Sequence, residues 1–416
     1  MSERYDVAVI GAGIVGVATA LHLRVRGKTV LLIDRRGPGL ETSFGNAGIL
    51  QTYDTLPFGV PPLSRLPGIL LNKDPAVRLH YRSSWRHIPW ILEFFWRSRR
   101  SARKASGRMM RPLNAAGLDE HRVLMRGTDA ARYLSPHGRI ALYRSQASFE
   151  GSLWELEIAK EMGVSFDIAD RGAMADIEPH LKPGFYKAVR WVTSARLTNP
   201  GAVTSAYAER FVREGGAFRQ AEVRALSQQG GIAWVIDAGT VSLSASEVVI
   251  CAGPWAQDIL RPLGYHFPLG TKRGYHRHFG MSGGASFVHA FTDMDVGYVM
   301  APMEQGYRLV TGAEIAEVSD PPDPVQLNLI LPYAKQLFPL AEPVSGAPWC
   351  GNRSCFSDSR PVIGRAPRHP GLWLNIGHAH SGITAGPASA RLLAEMMTGE
   401  TPFCDTAPFR AERFNC

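Results

Sequence analysis

Residues 7–16, VAVIGAGIVG, set four apolar residues against glycines 11, 13 and 16 in the spacing G-x-G-x-x-G. Each glycine has its own task at a dinucleotide. Gly11 makes the tight turn, Gly13 lets a pyrophosphate reach the backbone, and Gly16 lets the following helix sit close on the strand. Ile14 and Val15 open that helix, whose free N–H groups and positive dipole end face the phosphates. The spacing alone is weak, because a glycine-rich turn also occurs without a nucleotide. Its surroundings make it specific: residues 5–10 predict a strand, 14–26 a helix and 29–34 a second strand ending in Asp34, 23 residues beyond Gly11. A carboxylate there accepts hydrogen bonds from a ribose. Arg35 and Arg36 would suit a 2′-phosphate, and Asp34 argues against one. The chain opens as a βαβ unit.

The 416 residues are 45% hydrophobic and 20% charged, an ordinary globular composition that leaves room for two or three domains. No apolar run reaches the roughly eighteen residues of a membrane-spanning helix. The N-terminus lacks the layout of a secretory signal, and the five scattered cysteines contain no Cys-x-x-Cys. Together these predict a cytoplasmic protein without a disulfide framework or a thiolate zinc site. The net charge of +9 is concentrated in residues 78–111, where ten Arg or Lys face a single acid, Glu93. Between them lie Trp85, Trp90, Ile91, Leu92, Phe94, Phe95 and Trp96. Two readings stay open. One is an amphipathic helix on an anionic membrane surface, a peripheral contact through 86–104 on the inner face of the cell membrane. The other is a helix packed on its own domain with a solvated arginine face. Nucleic acid is not expected, since no binding motif accompanies the charge.

Farther along, residues 51–85 are rich in Pro and Gly and predict a surface excursion. Residues 86–134 predict helix with a break near Pro112, and 152–163 and 200–216 predict two more helices. Strands follow from 217 to 250, residues 265–316 alternate as antiparallel strands, and the tail is a strand, a glycine-rich turn and a helix ending at Gly399. Strand, turn and helix thus recur at both ends. This suggests a nucleotide domain built from 1–85, 145–255 and 345–416, with a second domain of 86–144 and 256–344 between them. Within the second, RGYHRH (273–278) read as a strand puts Arg273, Tyr275 and Arg277 on one face and Gly274, His276 and His278 on the other. A metal at His276 and His278 lacks a third ligand, so none is expected. The strand borders a substrate cavity or lies on a basic surface, and which face points inward is left open.

Several segments resemble, in order, those of the FAD-dependent D-amino acid oxidase and dehydrogenase superfamily, with bacterial D-amino acid dehydrogenases and glycine, sarcosine or iminodiacetate oxidases nearest. They are ETSFGNAGIL (41–50), EVRAL (222–226), VVICAGPWA (248–256), KRGYH (272–276), GNRSCFSDSRPVIG (351–364) and NIGHAHSGIT (375–384). The resemblance implies an α/β fold, a Rossmann-like FAD domain of the glutathione-reductase type with an inserted α+β substrate domain on an antiparallel sheet. It implies FAD held by Gly11, Gly13, Ile14, Val15, Gly16, Asp34 and Arg35. Thr42, Ser43, Asn46, Ala47, Gly48 and Ile49 would line the pyrophosphate and ring, and Val223 would meet adenine. Cys251, Ala252, Gly253 and Trp255 would lie near the flavin, and Gly382, Ile383 and Thr384 at its pyrimidine edge. Two departures stand out: in GHAHSGIT, Ala379 replaces a common Gly and His380 is unusual; in GNRSCFSDS, Ser354 and Cys355 replace the usual Pro and small or apolar residue. Cys350 lies near the place where some relatives link flavin covalently.

The implied chemistry is oxidation of a C–N bond in a small amino acid or amine carboxylate, with FAD as hydride acceptor and oxygen or a quinone as the final one. A substrate carboxylate calls for a guanidinium, which matches it bidentately. Arg353 is the expected anchor, with an ion pair to Asp358 as the alternative. Arg273, Tyr275, His276, His278 and His380 are further candidates around the substrate. Arg273 and Arg360 add cations beyond what one carboxylate needs, which suggests a second acidic group, as in iminodiacetate. Two other readings share the flavin segments. One is a 2-hydroxy acid dehydrogenase. The other is a flavoprotein subunit whose basic face docks a partner in a homo- or hetero-oligomer.

Overall fold

Val7, Ala8, Val9 and Ile10 are all buried, as a central parallel strand requires. They end the strand Arg4–Ile10, which pairs in parallel with Val30–Asp34 on one side and Ser242–Ile250 on the other. Ala217–Gln220 extends the sheet beyond Val30–Asp34. Leu372–Ile376 runs parallel to the end of Ser242–Ile250, while Ala233–Asp237 folds back antiparallel on its start and Ala225–Gln229 pairs antiparallel with Ala233–Asp237. The chain is described by a computed structural model covering residues 4–229, 233–239, 242–344 and 346–414. Helices Ile14–Val25 and Gly382–Thr398 share one apolar core on one face of this sheet. A second core, with Trp234 and Tyr265, covers the other face.

A second sheet is organised by one long strand, Leu269–Met281. One edge takes Gly306–Val310 and Ala313–Ile315, and the other takes Trp349–Phe356 and Leu340–Pro343, all antiparallel. The mixed α/β architecture, one parallel-centred sheet and one largely antiparallel sheet, is the expected one. Strand membership departs from the expected division, however. Val77–Leu79, Phe166–Ala169 and Lys187–Trp191, placed by the sequence in the nucleotide domain, all hydrogen-bond into the second sheet. Conversely, Arg100–Met125 packs on Gly382–Thr398, so closely that a Cβ at Gly117 would lie 2.3 Å from the Thr384 carbonyl oxygen. Pairing is a long-range choice that local periodicity does not encode.

Three local expectations also change. Residues 58–79 are not a mere surface excursion, because many of them wall the main cavity. The helix does not break at Pro112, which sits inside Arg100–Met125. The break falls at Arg99, whose backbone is extended (φ −63°, ψ 145°). The helix expected from Ser152 begins at Gln146, capped by the Ser145 hydroxyl accepting from the Ser148 N–H.

Candidate functional site

A continuous cavity of about 880 Å³ runs from the glycine turn to the second sheet. At its first end the chain is shaped for a dinucleotide. A Cβ on Gly11 would meet the Cys251 carbonyl oxygen at 2.5 Å, and one on Gly16 would meet the Gly11 oxygen at 1.8 Å, so neither side chain fits. Gly13 faces open space, with the Ser43 Oγ nearest at 3.4 Å. The Ser43 hydroxyl also accepts from the first helical N–H, Ile14, at 3.0 Å. Asp34 holds the turn from the far side: its carboxylate accepts the Ala12 N–H at 2.6 Å and the Arg36 N–H at 2.8 Å. Burial raises its pKa, with the two N–H donors opposing. Arg35 lies over the Trp255 ring at 4.0 Å and pairs with Glu41 at 2.9 Å.

Of the residues expected at the cofactor, Gly11, Gly13, Ile14, Val15, Asp34, Arg35, Thr42, Ser43, Asn46, Ala47 and Ile49 line the cavity. So do Val223, Cys251, Ala252, Gly253, Trp255, Gly382 and Ile383. Gly16, Gly48 and Thr384 stand behind this wall. Gly48 is left-handed (φ +74°) against the Leu197 carbonyl, and the Thr384 hydroxyl accepts from the Gln51 N–H. Two buried amide oxygens on the wall, Asn352 Oδ1 and Asn375 Oδ1, have no protein partner. They suit the hydroxyl and N–H groups of a flavin nucleotide, and with the glycine cradle and the start of Gly382–Thr398 the residues fit FAD. Ala379 adopts φ +52°, the left-handed conformation that glycine favours, so the loop keeps a glycine-like shape despite the substitution.

At the other end the long strand presents alternate residues. Gly270, Lys272 and Gly274 share one face. A Cβ on Gly274 would fall 2.3 Å from Arg353 Nη2, so the glycine of RGY is what lets the Arg353 guanidinium lie across the strand. Gly270 does the same for Trp90, whose ring would be 2.7 Å from a Cβ there. Arg353 lines the cavity and donates to the Gly312 carbonyl at 3.0 Å. It has no ion pair among the described residues. Asp358, its expected alternative partner, pairs instead with Arg360 at 2.9 Å and Arg413 at 3.0 Å. Arg360 is thereby spent as a surplus cation.

The remaining RGYHRH residues do not bring free groups to the cavity. Arg273 is buried against Glu314 at 2.9 Å and donates to the Asp320 and Pro321 carbonyls. Tyr275 touches the wall, but its hydroxyl donates to Glu314 at 2.6 Å and accepts from the Asp323 N–H. His276 stacks on Trp349, with centroids 5.0 Å apart, and reaches the Gly45 carbonyl. The His278 Nε2 accepts from Arg308 at 3.1 Å, and Arg308 also donates to the Phe44 and Asn46 carbonyls. Burial pulls the two imidazoles down to about 2 and about 4, so both are neutral props of the loop 41–50. Cys350 packs in the second-sheet core, away from the cavity wall. His380 does line the cavity, 3.2 Å from Asp54 and beside Phe58.

Sequence reasoning missed two cavity cations. Lys272 sits with its ammonium 4.0 Å from the Phe94 ring centroid and 5.0 Å from that of Trp90. Its flanking glycines at alternate positions were a legible signal of a strand face kept clear around one long side chain. Arg139 donates to the Tyr53 hydroxyl at 3.1 Å, with its Nε unpartnered. Nothing in the local sequence marked it.

The sequence matches the family model described as FAD dependent oxidoreductase over residues 6–396. It is 28% identical to the D-amino-acid oxidase of Bradyrhizobium diazoefficiens over the full length of both chains. It is 29% identical to the D-amino acid dehydrogenase of Granulibacter bethesdensis, across 98% of this chain and 99% of that one. The fold superposes on glycine oxidase from Geobacillus kaustophilus with a TM-score of 0.75 at 20% identity, covering 98% of each chain. With a family match across nearly the whole chain and a cavity built for the cofactor, the chain belongs to the DAO family of FAD dependent oxidoreductases.

Proposed function

We propose that this enzyme oxidises the C–N bond of a small amino acid or N-substituted glycine, with Arg353 anchoring the substrate carboxylate. The observation that carries this is a guanidinium in the cavity wall that makes no ion pair among the described residues and is given room by Gly274. A cation partly withdrawn from water without a carboxylate is costly unless a ligand supplies one. The chemistry that bound FAD would supply is acceptance of a hydride from the carbon beside the amine, leaving an imine that water hydrolyses to a 2-oxo acid with release of ammonia or the free amine. Arg353 fixes the carboxylate end of the substrate, while Trp90, Phe94 and Phe58 shield the site from water. His380, held by Asp54, faces the same space as a polar contact for the amine end. The relatives named for D-amino acids support this reading over a hydroxy acid. The test is anaerobic mixing with D-amino acids, D-hydroxyproline, sarcosine, iminodiacetate and 2-hydroxy acids while following the flavin band near ~450 nm. Bleaching by an amine supports the reading, and bleaching only by a hydroxy acid overturns it.

A second observation bears on the electron acceptor. The helix Ile88–Arg97 buries Trp90, whose indole donates to the Cys355 carbonyl at 2.9 Å, yet turns Ile88, Leu92, Phe95 and Trp96 outward. Leu63, Leu66, Leu70, Leu71, Tyr81 and Trp85 are exposed too, Leu70 and Leu71 at 62% and 64%. Arg82, Arg86, Arg99 and Arg100 stand nearby in sequence and make no ion pair among the described residues. No helix among those residues is long and apolar enough to cross a membrane. We infer a peripheral seat on an anionic bilayer, which would give a quinone access to the cavity wall. Flotation with phosphatidylserine vesicles at low salt should carry the protein, and Arg99→Glu with Arg100→Glu should release it. A protein that stays with the soluble fraction would refute the seat.

A further inference from the structure

Lys272 and Arg353 are register partners on adjacent antiparallel strands, so their side chains leave the sheet on the same face. Like charges directly opposite each other are ordinarily avoided in a sheet. Here both line the cavity, and neither makes an ion pair with a carboxylate among the described residues. What surrounds the ammonium is the faces of Trp90 and Phe94, which favour a cation without neutralising it. The groups expected to supply surplus charge are engaged elsewhere: Arg273 pairs with Glu314, and Arg360 with Asp358, which Arg413 shares. Two adjacent uncompensated cations remain, with glycines at 270 and 274 clearing the strand face around them.

We propose that Lys272 recognises a second acidic group, so that the substrate is an amine carrying two carboxylates, one on Arg353 and one on Lys272. This rests on the amine-oxidation reading above and names the substrate class for the same site. Burial and the neighbouring Arg353 both lower the Lys272 pKa. Two cations side by side on one cavity face attract an arriving dianion more strongly than a monoanion. The bland alternative is that Lys272 only clamps the helix Ile88–Arg97 through its two aromatic rings. The two differ in selectivity: a clamp affects one- and two-carboxylate ligands alike.

The test uses the FAD-loaded enzyme and two matched pairs. Iminodiacetate and sarcosine share the amine and first carboxylate and differ by the second. Glutarate and butyrate differ the same way and are read by the shift they cause in the flavin spectrum, without turnover. Wild type should favour the two-carboxylate member of each pair by at least about tenfold, the Lys272→Met ratio should fall towards one, and Lys272→Arg should restore it. Equal binding of glutarate and butyrate to wild type overturns the proposal without any variant. A preference that survives Lys272→Met overturns it as well and moves the role to Arg139. Should Lys272→Met fail to fold, Lys272→Gln serves in its place. If neither amine reduces the flavin but a D-amino acid of the wider panel does, amine oxidation stands and iminodiacetate is excluded as the substrate, while the glutarate titration still decides whether the dianion site exists.

Discussion

Replacing Gly274 by alanine adds one methyl group and separates stability from activity. The new Cβ would lie 2.3 Å from Arg353 Nη2, 2.8 Å from Cζ and 2.9 Å from Nη1. Ordinary contact needs about 3.5 Å, so the guanidinium must shift by about 1 Å. The flexible arginine side chain can make that move, and the backbone at 274 is not in a left-handed conformation. Alanine in a strand interior is also about 0.5–1 kcal/mol better than glycine. The fold should therefore keep its melting temperature within a few degrees. The carboxylate anchor is displaced by the same step. A charge-assisted bond is worth about 1.5–3 kcal/mol, and a 1 Å misplacement of a reactant costs about 10²-fold. Rapid-reaction measurements of anaerobic flavin reduction should show kcat/KM down by about 10- to 100-fold on the best amine substrate. Thermal melting should show an intact protein. A Gly274→Ala enzyme that reduces its flavin at the wild-type rate and KM would refute Arg353 as the anchor.

Asp34→Asn keeps the shape but loses the charge that receives the Ala12 and Arg36 N–H groups on the cavity wall. FAD affinity, measured by fluorescence on reconstitution of apoprotein, should weaken by about 10- to 100-fold, the equivalent of ~1.4–3 kcal/mol. Ala379→Gly relieves a left-handed alanine that costs about 1–2 kcal/mol, against the backbone entropy of glycine. A rise in melting temperature of a degree or more is expected, and a fall would show that the Ala379 methyl packs usefully. Stability should also drop between pH 7 and 5. His22, His121, His276 and His378 are buried, and burial lowers their pKa to about 3, 4, 2 and 4. The unfolded chain binds protons below about 6.5 while these sites do not, so stability is lost as pH falls, by about 1–2 kcal/mol per group at pH 5. Melting curves that are flat across that window would contradict neutral burial.

The nucleotide half of this protein was legible because its signals are local. A glycine spacing and an acid at a strand end are each fixed by backbone geometry within a few residues, and they fall at the turn of residues 11–16 and at Asp34. Arg353, the proposed anchor, was singled out in the same way, through its motif, and it lines the cavity. The substrate end was only half legible. RGYHRH showed an excess of cations, but which of them are free depends on carboxylates far away in the chain. Glu314 removes Arg273 and Tyr275 from play, Asp358 removes Arg360, and the loop 41–50 claims His276 through Gly45. Strand pairing then set Lys272 opposite Arg353, 81 positions apart. Sequence by itself determined the glycine turn, the acid at the strand end and the presence of cationic chemistry. The tertiary structure alone decided which charges stay unpaired, because an ion pair is made by whichever partner folding brings within a few ångströms.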